Sequence, residues 1–133
     1  MKFDFQQFFR DYGASFAQPE VLASFYGDCA LASAPSFVGC LKGKNEVAQA
    51  MRATAAHQEK SGLLSMAPLR VETTELDAIH RLAKVQWKMT FRQGGEASFA
   101  ASYLLREEPH KVIILLYLAH EDEEKMRKDL GLA

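Results

Sequence analysis

The chain opens on a helical rhythm. Phe5, Phe8, Phe9, Tyr12 and Phe16 recur at three- and four-residue steps, while Gln6, Gln7, Arg10 and Asp11 fill the opposite side. This spacing predicts an amphipathic helix with an aromatic face. Pro19 suits the first turn of a new helix, so Val21, Leu22, Phe25 and Tyr26 read as a short second helix ending near Gly27. Ala34-Pro35 then separates two short apolar runs and predicts a small hairpin, roughly 29–33 and 36–41. A third helix begins at GKNEV, with Gly43 as N-cap and Glu46 three residues on, as in a weak capping box. Val47, Ala50, Met51, Thr54 and then His57 or Gln58 form one face of it, small enough to pack closely onto a sheet, and Gly62 supplies the C-terminal glycine.

Beyond Gly62 the period changes from about four to two. LLSMAPLRVETTEL reads as a strand bent at Pro68. From Ile79 to Arg92 the alternation is long: Ile79, Ala83, Val85, Trp87, Met89 and Phe91 on one face, and His80, Leu82, Lys84, Gln86, Lys88, Thr90 and Arg92 on the other. Gly94-Gly95 marks a hairpin turn. The next strand, 96–106, sets Phe99, Ala101, Tyr103 and Leu105 opposite Ser98, Ala100, Ser102 and Leu104. A second turn at Glu107-Glu108-Pro109-His110 leads into VIILLYLA, the longest apolar run. Eight residues are far too few for a membrane span. The run lacks helical caps and is rich in Val, Ile and Tyr, so it is predicted to be a strand covered on both faces or central in a sheet. The polar tail EDEEKMRKDLGLA is expected to add a short exposed helix at most.

Composition narrows the function classes. With 133 residues, one domain spanning 1–133 is expected, and 48% apolar residues suffice for a core. A net charge of −1 leaves no basic excess to neutralise phosphates, which argues against nucleic acid as a partner. MKFDFQQFFRDY interrupts any apolar leader core, so no export signal is read and a cytoplasmic location is expected. Cys29 and Cys40 are expected to be free thiols. If the hairpin turn is tight they lie close to opposite each other, as two small apolar side chains on one sheet face rather than as a redox pair.

The aromatic first helix, the segment FYGDCALASAPSFVGCLKGKNEVAQAM and the ending YLLREEPHKVIILLYLAHED, in that order, resemble the NTF2-like superfamily. This is the α+β cone of SnoaL-like polyketide cyclases and ketosteroid isomerases, also called cystatin-like. A hotdog-type fold is the nearest alternative, but it does not account for two helices before the first strand. The resemblance implies a curved antiparallel or mixed sheet wrapped around a long helix, with an apolar pocket between them. It aligns Asp28 with the family's acidic residue just before the first strand. The pocket would be lined by Tyr12, Phe16, Phe37, Met51, Met66, Trp87, Met89, Phe99 and Tyr103. It also implies a homodimer joined through the outer sheet face, where Lys84, Gln86, Lys88 and Thr90 alternate with an apolar face.

The chemistry of the isomerase branch carries over only in part. Its proton-moving carboxylate would fall at about Ser33–Ala34, where none exists. Its oxyanion-binding tyrosine would be Tyr12. Its protonated acid would fall in SFAASYLL, which has none. The SnoaL-like branch places His and Asp in the cone. His57, at the end of the long helix, is a candidate acid or base, while His80 starts a strand and His110 lies in a turn. His120 and Asp122 share a face at the last strand's end, as a candidate acid–base pair. Two such residues do not make a metal site without a third ligand. No metal or cofactor is expected. The favoured reading is a small-molecule-binding cone for an apolar ligand. The alternatives are an isomerase, cyclase or dehydratase acting on an apolar polyketide- or steroid-like substrate, and a dimeric interaction module without a ligand.

Overall fold

The structure, a computed structural model, describes residues 3–121. The elements run α1 (Phe5–Ala14), α2 (Pro19–Ala23), β1 (Tyr26–Ala34), β2 (Phe37–Lys42), α3 (Gly43–Lys60), β3 (Leu63–Glu75), β4 (His80–Phe91), β5 (Glu96–Glu107) and β6 (Val112–Ala119). The expected tail helix lies outside the described residues. All six strands form one sheet in the order β2-β1-β6-β5-β4-β3. It is mixed, because β1 and β6 run parallel while every other neighbouring pair is antiparallel. The apolar run VIILLYLA is therefore an interior strand, flanked by β1 and β5. The register shifts at Tyr26/Leu31, Leu63/Ser65, Pro68/Arg70 and Leu104/Leu105, and irregularities of this kind bend a strand.

Local chemistry explains the helix ends. The Asp4 carboxylate accepts the Gln7 N–H at 3.0 Å and caps α1. Pro19 starts α2 as predicted, but α2 stops at Ala23, and Tyr26 belongs to β1 rather than to a helical face. Lys42, not Gly43, is the N-cap of α3, and its backbone N–H donates to the Glu46 carboxylate at 2.9 Å. Gly62 follows the C-cap with φ of +81°.

The core lies where β4 and β5 meet α1. Phe9, Val85, Trp87, Met89, Phe91, Phe99, Tyr103, Leu105 and Ile114 are all but sealed from water. Trp87 stands opposite Phe99 and Ala83 opposite Tyr103, so the predicted apolar faces of the two strands do coincide. The buried indole N–H of Trp87 donates to the Tyr103 hydroxyl at 2.9 Å, which removes the cost of an unpaired buried donor. The helices cover the two halves of the sheet: α1 packs on β3, and α3 packs on β1 and β2.

The hairpin register corrects the expectation for the cysteines. The two-residue turn Pro35-Ser36 pairs Ala34 with Phe37, and every later partner is then determined by counting back along the strands. Cys29 therefore faces Lys42, and Cys40 faces Leu31. The thiols share a sheet face but are diagonal to each other, and both are exposed rather than buried.

Candidate functional site

A cavity of about 580 Å³ lies between α3 and the β1–β6–β5 side of the sheet, within the usual size of small-molecule sites. Its walls come from nearly every element. Tyr12, Phe16 and Leu22 enter from the α1–α2 region. Tyr26, Ala30, Ala32 and Ala34 enter from β1, and Phe37 and Leu41 from β2. From α3 come Ala50, Met51, Ala53 and Thr54, with His57 and Gln58 near its end. Leu31 of β1, Met66, Tyr103, Tyr117, Ala119 and Glu121 complete the lining. The void exists because alanines stand on β1 and α3 where larger side chains would close the gap.

All four tyrosines of the chain line this cavity. The Tyr12 and Tyr26 hydroxyl oxygens are 2.5 Å apart, and either one is able to donate. The Tyr12 ring packs edge-on to Phe9 and Phe25 and lies 5.8 Å from the Tyr103 ring, which in turn lies 5.4 Å from Tyr117. Burial raises the Tyr12 hydroxyl well above the ordinary tyrosine value, and the neighbouring tyrosines Tyr26 and Tyr103 reinforce the shift. Burial also pushes Tyr26 up to about 12, against the opposing effect of its hydrogen bond with Tyr12. Both groups are therefore neutral donors at ordinary pH. Together they carry two protons, and the bond between them uses one. Among the described residues neither hydroxyl has another hydrogen-bond partner, so one O–H remains at the cavity wall without a protein acceptor.

Of the nine side chains expected in the pocket, Tyr12, Phe16, Phe37, Met51, Met66 and Tyr103 line the cavity. Trp87, Met89 and Phe99 do not, and this is a correction. They share the inner sheet face with Tyr103, but α1 lies directly over that region and leaves no void: a Cβ at Gly13 would stand 2.9 Å from Trp87 Cζ3. The cavity is displaced toward β1, β2 and β6. Sequence reasoning missed Tyr26, Tyr117, Leu41, Gln58 and the alanine walls. Tyr26 was hidden by its assignment to α2. The alternation Tyr26, Ala30, Ala32, Ala34 was partly masked by the register shift in β1. Tyr117 sits in a run apolar at every position, where period-two reasoning cannot choose a face.

The remaining candidates scatter. His57 lines the cavity at the exposed last turn of α3. His80 is at the β3–β4 turn, with Nδ1 3.0 Å from the Asp77 carboxylate. His110 is exposed in the β5–β6 turn. The His120 ring is turned away from the cavity candidates, with Nε2 2.6 Å from Ser102 Oγ. Its expected partner Asp122 lies outside the described residues. Asp28 is exposed within β1 rather than before it. Ser33 and Ala34 end β1 and bring no carboxylate. Among the described residues no group of three or more His, Cys, Asp or Glu side chains converges as a metal site, and no helix is long and apolar enough to cross a membrane.

A bent mixed sheet with a long helix across one half, a shorter helix over the other, a third helix packed on the long one and an apolar cavity between defines an NTF2-like, cystatin-like α+β domain. The chain belongs to the family described as NTF2-like protein (DUF6841), whose model matches residues 3–122. No curated protein matches it by sequence. Solved structures do resemble it. A domain of unknown function with a cystatin-like fold from Nostoc punctiforme superposes with a TM-score of 0.71 at 15% identity, over 94% of this chain and 81% of that one. An NTF2-like protein with a cystatin-like fold from Novosphingobium aromaticivorans gives a TM-score of 0.69 at 13% identity, over 95% and 85% of the two chains. A ketosteroid isomerase-like protein from Erwinia carotovora atroseptica gives a TM-score of 0.56 at 17% identity, over 78% and 81%. At these identities the likeness concerns the fold.

Proposed function

We propose that this domain binds a small, uncharged, largely apolar molecule in the cavity and holds one oxygen acceptor of that molecule on the Tyr12–Tyr26 pair. The observation that carries the reading is the hydroxyl pair with one proton left over at the wall of an apolar cavity. A buried donor without a partner is costly, and a ketone, ether or hydroxyl oxygen would satisfy it. No lysine or arginine lines the cavity among the described residues, which favours a neutral ligand. Binding is preferred to turnover because proton transfer needs a base facing the tyrosine pair. Besides the tyrosines, the titratable side chains along the cavity are His57, which is exposed, and Glu121, whose carboxylate accepts the Ala100 N–H at 3.2 Å. The test compares 1-decalone with decalin, which lacks the oxygen, by calorimetry or by Trp87 fluorescence. The ketone is expected to bind more tightly, and Tyr26→Phe should remove about 2- to 10-fold of that preference, the worth of one net hydrogen bond. Equal binding of both probes, or none, would overturn the reading.

A second reading concerns the opposite sheet face. Leu82 is opposite Leu104, Leu104 opposite Leu116, and Leu116 opposite Leu31. The leucines of β4, β5 and β6 form one row, and all three are partly or largely exposed; Leu31, next in register on β1, also lines the cavity. We propose that a second copy of the chain covers this row. The row is more apolar than the Lys84, Gln86, Lys88 and Thr90 stretch of the outer face expected to form the contact. Sedimentation should give a dimer that Leu104→Lys dissociates. A monomer at micromolar concentration would sink the proposal.

A further inference from the structure

The β1–β2 hairpin places one large side chain in an unusual posture. Phe37 lines the cavity yet is 58% exposed. Its ring is folded back along β2 over Gly39: a Cβ built at Gly39 would meet Phe37 Cζ at 2.7 Å. Any side chain at position 39 would displace the ring from this resting place. On the same face Ala32 stands opposite Gly39 and Ala34 opposite Phe37, so only methyl groups flank the ring on β1. One ring face therefore lies on the strand. Among the described residues Phe37 is in none of the ring–ring contacts that join Phe8, Phe9, Tyr12, Phe25, Tyr26, Trp87, Tyr103 and Tyr117. Phe16 is the other lining phenylalanine outside that network, but it is half-buried, so Phe37 offers the more open ring face among the described residues.

The opposite wall has matching chemistry. Ala50 and Ala53 present methyl groups from α3 to the same cavity. A space with methyl groups on both sides and a flat ring at its outer end admits a flat molecule more readily than a bulky one. Resting on the proposed binding function of this cavity, we infer that Phe37 is the stacking surface of the site. The ligand class it selects is a fused system of two or more rings whose far ring is aromatic, its oxygen on the Tyr12–Tyr26 pair and that aromatic ring against Phe37. Stacked or tilted aromatic pairs add about 0.5–1.5 kcal/mol beyond area burial, and that increment is what a saturated ligand of the same skeleton forgoes.

The experiment uses 1-tetralone and 1-decalone, which share a skeleton and a ketone but differ in aromaticity. Affinities are measured by calorimetry for the full chain and for Phe37→Leu, Phe37→Tyr and Gly39→Ala, with far-UV circular dichroism confirming each fold. The wild type is expected to bind both and to prefer 1-tetralone. Phe37→Leu, which keeps apolar bulk without a ring, should lower the tetralone-to-decalone ratio about 2- to 10-fold, while Phe37→Tyr retains it. Gly39→Ala should lift the ring into the cavity and weaken both ketones. If both ketones bind the wild type and Phe37→Leu leaves their ratio unchanged, the stacking role is wrong and the binding function stands. If neither binds the wild type, both fall together.

Discussion

Alanine in place of Gly13 is the sharpest test of how α1 sits on the sheet. From the sequence alone the change looks stabilising, because glycine inside a helix costs about 1 kcal/mol relative to alanine. The structure reverses the sign. A Cβ at position 13 would lie 2.5 Å from the Met66 carbonyl oxygen and 2.9 Å from Trp87 Cζ3. Neither neighbour can give way easily. The carbonyl is backbone of β3, held in the ladder with β4, and Trp87 is fully buried with its N–H bonded to Tyr103. To restore ordinary contact the helix and sheet must part by roughly 1 Å. Overpacking of this kind costs about 1–3 kcal/mol, and a backbone obstacle places this site toward the upper end. After the propensity gain is subtracted, the expected net loss is about 2 kcal/mol. For a chain of this length that lowers the melting temperature by roughly 6–10 °C. Urea unfolding followed by circular dichroism measures it, with Gly95→Ala as control, since a Cβ there meets nothing within 4 Å. An unfolding midpoint for Gly13→Ala equal to or above the wild type would refute the close packing of α1 on β3 and β4. The variant should also weaken ligand binding, because Tyr12 is the adjacent residue.

Other expectations follow from the same packing. Trp87→Phe removes the donor to the Tyr103 hydroxyl and leaves a void in a sealed core, so unfolding free energy should fall by about 2–4 kcal/mol; a loss under half of that, measured by urea titration, would contradict the buried hydrogen bond. Tyr12 and Tyr26 keep their protons in the folded state while the unfolded chain releases them near pH 10. Stability is therefore undiminished below pH 10 and falls as pH rises from there toward the folded-state value, about 12 for Tyr26. Phenolate absorbance should show these two tyrosines titrating late or only on unfolding, and four simultaneous titrations near pH 10 would speak against the cluster. Asp77 accepts the Ile79 and His80 N–H groups, and those bonds, with the His80 ring, hold its carboxyl below the ordinary 3.8. The stability advantage of the wild type over Asp77→Ala should be complete at pH 5 and shrink as pH falls below 3.8; a difference that does not change with pH would refute this role in the β3–β4 turn.

Much of the fold was legible because it rests on period and punctuation. The aromatic stripe of α1, Pro19, the Gly43–Gly62 span of α3 and the alternation of β4 and β5 each state their element without reference to the rest of the chain. Tyr26 was not legible, since Phe25-Tyr26 continues a helical spacing and only pairing with Ile114 on β6 makes Tyr26 a strand residue. The cysteine pairing was missed for a related reason: the turn length sets register, and a two-residue difference is invisible in a short apolar hairpin. Six of the nine expected pocket residues line the cavity. The other three fail because parity cannot say which part of a face is covered by a helix and which part is left open.

What the sequence determined by itself was therefore local: which stretches are helix or strand, which side chains share a face, and that VIILLYLA is a strand apolar on both sides. The tertiary structure decided everything that depends on which faces meet. It set β6 parallel to β1, brought four tyrosines from α1, β1, β5 and β6 to one cavity, and sealed Trp87, Met89 and Phe99 beneath α1. The physical reason is that periodicity reports the distribution of apolar groups along one element. A cavity is a mismatch in volume between several elements, and it appears only when small side chains such as Ala32 of β1 and Ala53 of α3 are brought to line the same space.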